Sequence, residues 1–319
     1  MLKATFISTL FLITGFVFAQ AQPKTDADFP FQGEYAGGID SGGAAQKFGI
    51  QVIALGDGKF RAVFYPGGLP GDGWTKDKPK VKSDGAREND SVTFTGGRLN
   101  GTIKNGSFTM TNFRDNILGT LKKVERESST LGAKPPEGAI ILFDGKSADA
   151  WEKGRTTDDG LLMQGTQTKQ KFFSGTLHIE FLLPYEPKGR DQGRGNSGVY
   201  MQGRDEVQVL DSFGLEGKNN ECGGIYGIAE PIVNMCYPPM TWQTYDIEFT
   251  AAKWENGKKV KNALFNLVRH NGVVIHKDQE VTKVTTAAPV GDNPEPGPIY
   301  IQDHGHQVRF RNIWFVPAK

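Results

Sequence analysis

The run Glu206-Val-Gln-Val-Leu-Asp211 sets two carboxyl groups five residues apart in a strand-like stretch. Period-2 alternation puts Glu206 and Gln208 on one face and Val207 and Val209 on the other. Asp211 falls on the opposite face unless one extra residue bulges the strand between Gln208 and Asp211. With that bulge, two carboxyls can flank a scissile bond, the arrangement used in glycoside cleavage. Without it, Asp211 caps a turn and Glu206 pairs with an arginine such as Arg204. A second constellation, Gln302-Asp-His-Gly-His306, precedes the last strand. His304 titrates near neutrality and suits acid or base work. With His306, and with Asp303 or Glu206, it is also a candidate ligand for a divalent metal, and the expected metal pair is His304 and Glu206. A structural histidine at a strand end is the alternative. His270 beside a turn is expected in solvent, and His276 has no evident partner.

These residues need strands to hold them. Asn196-Ser-Gly-Val-Tyr-Met-Gln202 alternates Val199 and Met201 with Asn196, Tyr200 and Gln202, and a tight turn at Gly203-Arg204-Asp205 leads into the Glu206 strand. Leu177 and Ile179 alternate with His178 and Glu180, and Ile299 and Ile301 with Tyr300 and Gln302. The expectation is four strands of one sheet whose shared polar face carries Glu180, Asn196, Tyr200, Glu206, Gln208 and Gln302. Amides, carboxylates and phenols suit sugar hydroxyls and ring faces. Arg309 and Arg311 alternate with Val308 and Phe310, so one of them can reach a site carboxylate.

Composition narrows the alternatives. The charge balance is 37 Lys+Arg against 36 Asp+Glu, without the basic excess that a nucleic-acid partner requires. With 41 Gly, 21 Phe and no long amphipathic helical pattern, the chain reads as all-β with many turns. Residues 1–21 read as a signal peptide, with Lys3, an apolar stretch over 4–18 and a small-x-small cleavage site after Ala19 or Ala21. That stretch is too short to span a bilayer and no second apolar run follows, so the mature chain is expected to be exported, periplasmic or secreted, with no membrane span. In an oxidising compartment Cys222 and Cys236 can close a small loop, worth roughly 3 kcal/mol in the chain-entropy account. Two buried thiols are the alternative.

The punctuation suggests two domains. Residues 22–30 form a linker. Residues 31–124 read as a small antiparallel β domain with no histidine, whose strongest turn signal is Asn105-Gly106. Its Pro66-to-Trp74 loop is rich in Gly and Pro; Trp74 could stack on a sugar or tuck under its own domain. Residues 125–138 form a second linker, and 139–319 a sandwich or jelly roll.

Motifs in the second domain resemble a known family. They are Ile141-Leu-Phe-Asp-Gly-Lys-Ser, Trp151, Leu-His-Ile-Glu180-Phe, Asn196-Ser-Gly-Val-Tyr, Glu206-Val-Gln-Val-Leu-Asp, Gly224-Ile-Tyr-Gly, Trp242-Gln-Thr-Tyr-Asp, and Gln302-Asp-His-Gly followed by Phe310-Arg-Asn-Ile. In this order, over about 138–317, they resemble the 3-keto-disaccharide hydrolase family. The resemblance implies a concanavalin A-like jelly roll, export, and action on glycosides oxidised at C3. It adds Tyr226 and Arg311 to the expected substrate contacts. Fold-related laminarinase-type glucanases carry Glu-x-Asp-x-x-Glu on a bulged strand, where this chain has Glu206, Gln208 and Asp211. A 3-keto group opens another route, because it acidifies the C2 proton and permits elimination followed by hydration. On that route Glu206 or His304 is the base, and Asp211, Glu180 and Arg311 orient or polarise. The competing readings are a non-catalytic lectin-like module and a conventional glycanase.

Overall fold

The computed structural model describes residues 25–40 and 43–318, so the expected signal peptide lies outside the described residues. Among the described residues, no helix is long and apolar enough to cross a membrane.

The N-terminal domain is a closed, up-and-down barrel of eight strands: Gly33–Asp40, Ala45–Gly56, Lys59–Pro66, Val81–Glu88, Ser91–Phe94, Leu99–Lys104, Ser107–Asn112 and Ile117–Val124. Each strand pairs with its sequence neighbour. The first and last close the ring through Glu34↔Val124, Tyr35↔Lys123 and Ala36↔Lys122. Closure removes the exposed edges an open sheet would leave. Turn chemistry drives it: Asn105 and Gly106 take φ of 51° and 68°, the paired left-handed conformation of a two-residue hairpin. Tyr35, Phe48, Ile50, Phe60, Phe64, Phe94 and Phe108 fill the interior.

The C-terminal domain is a two-sheet sandwich. One sheet runs Ile140–Phe143, Arg309–Pro317, Gly175–Leu182, Trp242–Thr250, Ala263–His270 and Val273–Val281, with Leu162–Met163 also paired to Arg309–Pro317. The other runs Trp151–Glu152, Thr166–Thr168, Tyr300–Ile301, Ser197–Met201 and Asp205–Val209. Leu177, Ile179, Phe181, Val199, Met201, Val207, Val209 and Ile301 lie in the common core, as the alternation predicts.

Alternation fixes which residues face inward, but it does not fix which sheet a strand joins. The Gly175–Leu182 strand lies in the seven-stranded sheet, and the Tyr200, Glu206 and Tyr300 strands lie in the five-stranded one. The expected four-strand platform is therefore split between the two outer faces of the sandwich. On the outside of the seven-stranded sheet, Glu180 accepts from Arg311 Nε at 2.7 Å, Asn312 Nδ2 at 2.9 Å and Gly132 N at 2.6 Å. Arg311 also lies 3.9 Å over the Trp242 ring. His178 is buried, bonded to Asp246 at 2.6 Å and stacked on Trp314 at 5.0 Å. The expected linker is a strap over this cluster: Ser128 and Thr130 bond Thr244, and Ala133 O accepts from Asn312 and Trp314. The one-residue irregularity here is opposite Ile179, where Asn312 takes φ 44°.

Three further expectations are corrected. Cys222 and Cys236 form no disulfide. Both are buried free thiols, Cys222 Sγ 3.2 Å from Tyr245 Oη and Cys236 Sγ 3.5 Å from the Leu210 carbonyl. His270 is buried rather than solvated; it bonds Gln243 at 2.9 Å, and burial pushes its pKa down to about 3. His276 does have a partner, the Gly223 carbonyl at 2.7 Å.

The two domains share apolar surface. Ile53, Val63, Tyr65 and Trp74, on the outside of the barrel, join the sandwich core, and Gly214 and Gly71 leave room for Ile53 and Met235 at the contact. Trp74 is 5 % exposed and edge-on to Tyr65, so it is tucked away from solvent.

The strapped cluster should give stability a two-sided pH dependence. Burial alone would raise the Glu180 pKa, but His178, Asn312, Arg311 and the Gly132 amide bring it from 4.5 down to about 2. Its stabilising contribution is complete above pH 4.5 and is lost as pH falls toward about 2. Burial would lower the His178 pKa, yet Asp246 and Glu180 outweigh burial and raise it from 6.5. That contribution is complete below pH 6.5 and is lost as pH climbs above it. Urea denaturation from pH 2 to 8 should show Glu180→Gln flattening the acid limb and also weakening the neutral limb, because Glu180 helps to raise the His178 pKa; an unchanged acid limb would contradict the assignment.

Candidate active site

The strand Asp205–Val209 pairs regularly with Ser197–Met201, Tyr200 opposite Glu206 and Gly198 opposite Gln208. The loop between them is Gln202-Gly203-Arg204, with φ of 53° and 64° at its first two residues. The strand's other edge is closed by irregular backbone. Gln208 N donates to Gly224 O at 2.9 Å, Gly223 N to Gln208 O at 2.9 Å and Tyr226 N to Glu206 O at 3.2 Å. Glu206 N donates to Thr285 Oγ1 at 3.1 Å. From across the core, Tyr245 Oη donates to the Gln208 carbonyl at 2.6 Å. The strand is thus held from both edges and from behind, so the direction of its polar side chains is set by packing.

Glu206 is 2 % exposed. A Cβ on Gly198 would stand 2.1 Å from Glu206 Oε1, so the carboxyl lies in space that only glycine leaves free. Burial pushes its pKa from 4.5 up to about 8, and a bond from the Tyr200 phenol opposes the rise. No basic side chain among the described residues offsets that burial. Tyr200 accepts from Gln302 Nε2 at 3.1 Å, and its ring lies 5.3 Å from that of Tyr300. Burial and the Glu206 charge raise the Tyr200 pKa. Burial likewise raises that of Tyr300, with smaller contributions from Asp303 and Glu206. Tyr226, half-buried, adjoins this group through its backbone.

The structure therefore gathers Tyr200, Glu206, Gln208, Tyr226 and Gln302, together with Tyr300, on one side of the five-stranded sheet. Asn196 joins through Gln192, a residue that no pattern in the chain singles out. Gln192 Oε1 accepts from both Gln208 Nε2 at 3.0 Å and Asn196 Nδ2 at 3.2 Å. Gln192 lies in a connection, where no periodicity marks it. Asn196 Oδ1 is buried without a partner.

Other expected members are engaged elsewhere. Asp211 accepts from Arg194 Nε at 2.5 Å and from Phe213 N at 3.3 Å. The strand ends at Val209 with no bulge, and Leu210 turns into the core, so a Glu206–Asp211 pair across a scissile bond is not built. Glu180 and Arg311 belong to the strapped cluster of the opposite sheet. His304 is exposed; its ring lies 6.1 Å from that of His306, which bonds Glu186 at 2.6 Å. Among the described residues, no three His, Cys, Asp or Glu side chains converge to hold a metal ion.

Comparison with known proteins bears on these residues. Residues 138–316 match the family model of the 3-keto-alpha-glucoside-1,2-lyase-like domain. The fold resembles a crystal structure from Parabacteroides distasonis ATCC 8503, of a protein whose description as a glycosyl hydrolase is itself an inference. The two are 34% identical over 57% of this chain and 85% of that one, with a TM-score of 0.53. A second protein from the same organism, described in the same way, is 19% identical over 57% of this chain and 95% of its own, with a TM-score of 0.42. No relative was found among curated proteins.

Two substitutions separate the roles of the carboxylates. Asp211→Ala leaves the Arg194 guanidinium buried and unpaired, and should cost about 3–5 kcal/mol in chemical denaturation. Gly198→Ala forces the buried Glu206 carboxyl and the edge of the Tyr200 ring to shift, so it should disable the carboxyl at a cost of about 1–3 kcal/mol, below that of Asp211→Ala. Equal stability losses in the two variants would contradict this division.

Proposed function

We propose that this chain, which belongs to the 3-keto-alpha-glucoside-1,2-lyase-like family, cleaves the glycosidic bond of 3-keto-glucosides by elimination, with Glu206 moving the proton. Membership makes it a glycoside hydrolase-like enzyme with a carbohydrate substrate. The observation that carries the finer reading is the Glu206 carboxyl: buried, unpaired by any cation among the described residues, and raised to about 8. Such a carboxylate is a stronger base than an ordinary one, which C–H abstraction requires.

The ketone at C3 makes the C2 proton acidic. Glu206 takes that proton, the C2–H electrons form the enolate, and its collapse forms the C1=C2 double bond as the C1–O bond breaks. The leaving oxygen receives a proton, and the Glu206 carboxyl that has just gained one can supply it. Addition of water across the double bond then gives net hydrolysis. Gln302 and Tyr300, on the strand beside Tyr200, are the donors suited to the C3 oxygen as it becomes negative. Tyr226, Gln208 and Asn196 are suited to hydroxyls of the sugar or its aglycone. The exported location implied by residues 1–21 is part of the same reading.

Two measurements test it. Purified protein incubated with 3-keto-α-glucosides should release the glycone as an unsaturated keto-sugar or its hydrate; neither product appearing sinks the reading. Glu206→Gln should lower kcat by about 10²–10⁴-fold with sugar binding retained, whereas a lectin-like module would show no turnover to lose. For the wild type, kcat/KM should rise with pH as the carboxyl ionises and level off above about 8. A profile that falls through that range would instead make Glu206 the acid.

A further inference from the structure

The N-terminal barrel touches the sandwich beside the Glu206 face, and the contact runs through the connection over 183–196. That connection crosses from the seven-stranded to the five-stranded sheet. Its barrel-facing bonds converge on the hairpin over 54–58. Arg190 Nη2 donates to Leu55 O at 2.8 Å and Arg194 Nη1 to Ala54 O at 3.2 Å. Lys188 Nζ reaches Asp57 at 2.7 Å, and its stem lies over Gly56, which has no side chain to obstruct it. Arg190 Nη1 also donates to Pro187 O and Gly189 O, both at 2.7 Å, tying the loop to itself. Earlier in the connection, Tyr185 Oη donates to Asp26 at 2.8 Å, and its ring stands edge-on to Phe29 at 5.0 Å.

The other side of the connection faces the site. Gln192 lies in a single turn, Asp191–Gly193, whose first residue is held at φ 47°. A non-glycine residue there is strained and needs its surroundings to keep it. Gln192 Nε2 donates to Asn220 O at 2.7 Å, and Gln192 Oε1 takes the amides of Gln208 and Asn196. Gln208 is two residues from Glu206 on the same strand face. The path from Leu55 to Gln208 runs from Leu55 O to the Arg190 side chain, from the Arg190 carbonyl to Gly193 N at 2.9 Å, which closes the turn around Gln192, and from Gln192 Oε1 to Gln208 Nε2.

We infer that the barrel is a brace for the active site: its 54–58 hairpin fixes Gln192 through Arg190, and Gln192 is a positioning residue that aims Gln208 and Asn196 at the substrate. The inference rests on the reading of the Glu206 face as the site of 3-keto-glucoside cleavage. It gives the barrel, which contributes no side chain to that face, a role in substrate affinity.

The test uses the full chain with Arg190→Ala, Gln192→Ala and the double variant. Gln192→Ala should raise KM for a 3-keto-α-glucoside about tenfold with kcat within about twofold, the pattern of lost uniform binding. Gln192→Glu keeps the acceptor oxygen but sets a second oxygen against the Asn220 carbonyl, so it should restore only part of the affinity. Arg190→Ala should raise KM about fivefold, and the double variant no more than Gln192→Ala alone, because residues acting through one another are not additive. An additive double variant, or a normal KM in Arg190→Ala, overturns the inference while leaving the cleavage reading intact. Hydrogen exchange gives an arm independent of turnover. Amides over 190–196 should exchange about tenfold faster in Arg190→Ala at an unchanged Tm, as expected of a local opening. Wild-type exchange there overturns the brace even if no substrate is cleaved.

Discussion

The structure depends on one constraint: the apolar faces of two sheets must close on each other. Leu177, Ile179, Phe181, Val199, Val207, Val209 and Ile301 supply the side chains that do so. Burial of this kind is the main favourable term in folding, and it settles the direction of every alternating neighbour. Once the core faces are joined, the polar residues between them have only the two outer faces. On one, the strap over 128–133 covers His178, Glu180 and Asn312. The other carries Glu206, Tyr200, Tyr300 and Gln302.

The buried carboxylates show how differently one side-chain type is used. Glu34 meets Arg126, Glu180 meets Arg311 and Asp211 meets Arg194. In each case the guanidinium meets the cost of desolvating the acid, and the pair ties distant segments together: the barrel to the linker, one strand to the next, a connection to a strand end. Glu206 has no such cation and receives only a neutral phenol. A carboxyl left in that state is costly for stability and useful for chemistry, which is why perturbed acids mark functional sites. The contrast with three arginine-paired acids in the same chain sets Glu206 apart from the structural carboxylates; Asp205 beside it is also buried and raised to about 7, but lies on the other side of the strand from Tyr200 and Gln208.

The barrel and the sandwich are joined by more than a tether. Ile53, Val63, Tyr65 and Trp74 extend the sandwich core outward, and Lys76, Lys80 and Lys82 reach Glu230, Glu216 and the carbonyls of Gly217 and Leu215. The exposed ion pairs contribute little by themselves. The apolar contact holds the hairpin over 54–58 against the connection that carries Gln192. A cleft of about 640 Å³, lined by Gln32, Glu34, Arg126 and Trp242 among others, also lies between the domains and shares no lining residue with the Glu206 face.

By itself the sequence determined what is local. Alternation at Glu206–Val209 and Leu177–Glu180 separates inward from outward residues, because a strand has period two. Asn105-Gly106 turns where it must, because its backbone tolerates positive φ. Glu206, Tyr200, Gln208 and Gln302 were legible as members of one polar face for the same reason. Tertiary structure alone decided what depends on distant segments. It closed the barrel and assigned Glu180 and Glu206 to opposite faces. It gave Asp211 to Arg194 and buried His270 and His276, left Cys222 and Cys236 as thiols, and brought Gln192 to Gln208. Sheet partnership, ion-pair choice and depth of burial are set by which surfaces meet after the chain has crossed from one layer to the other, and no local period records that.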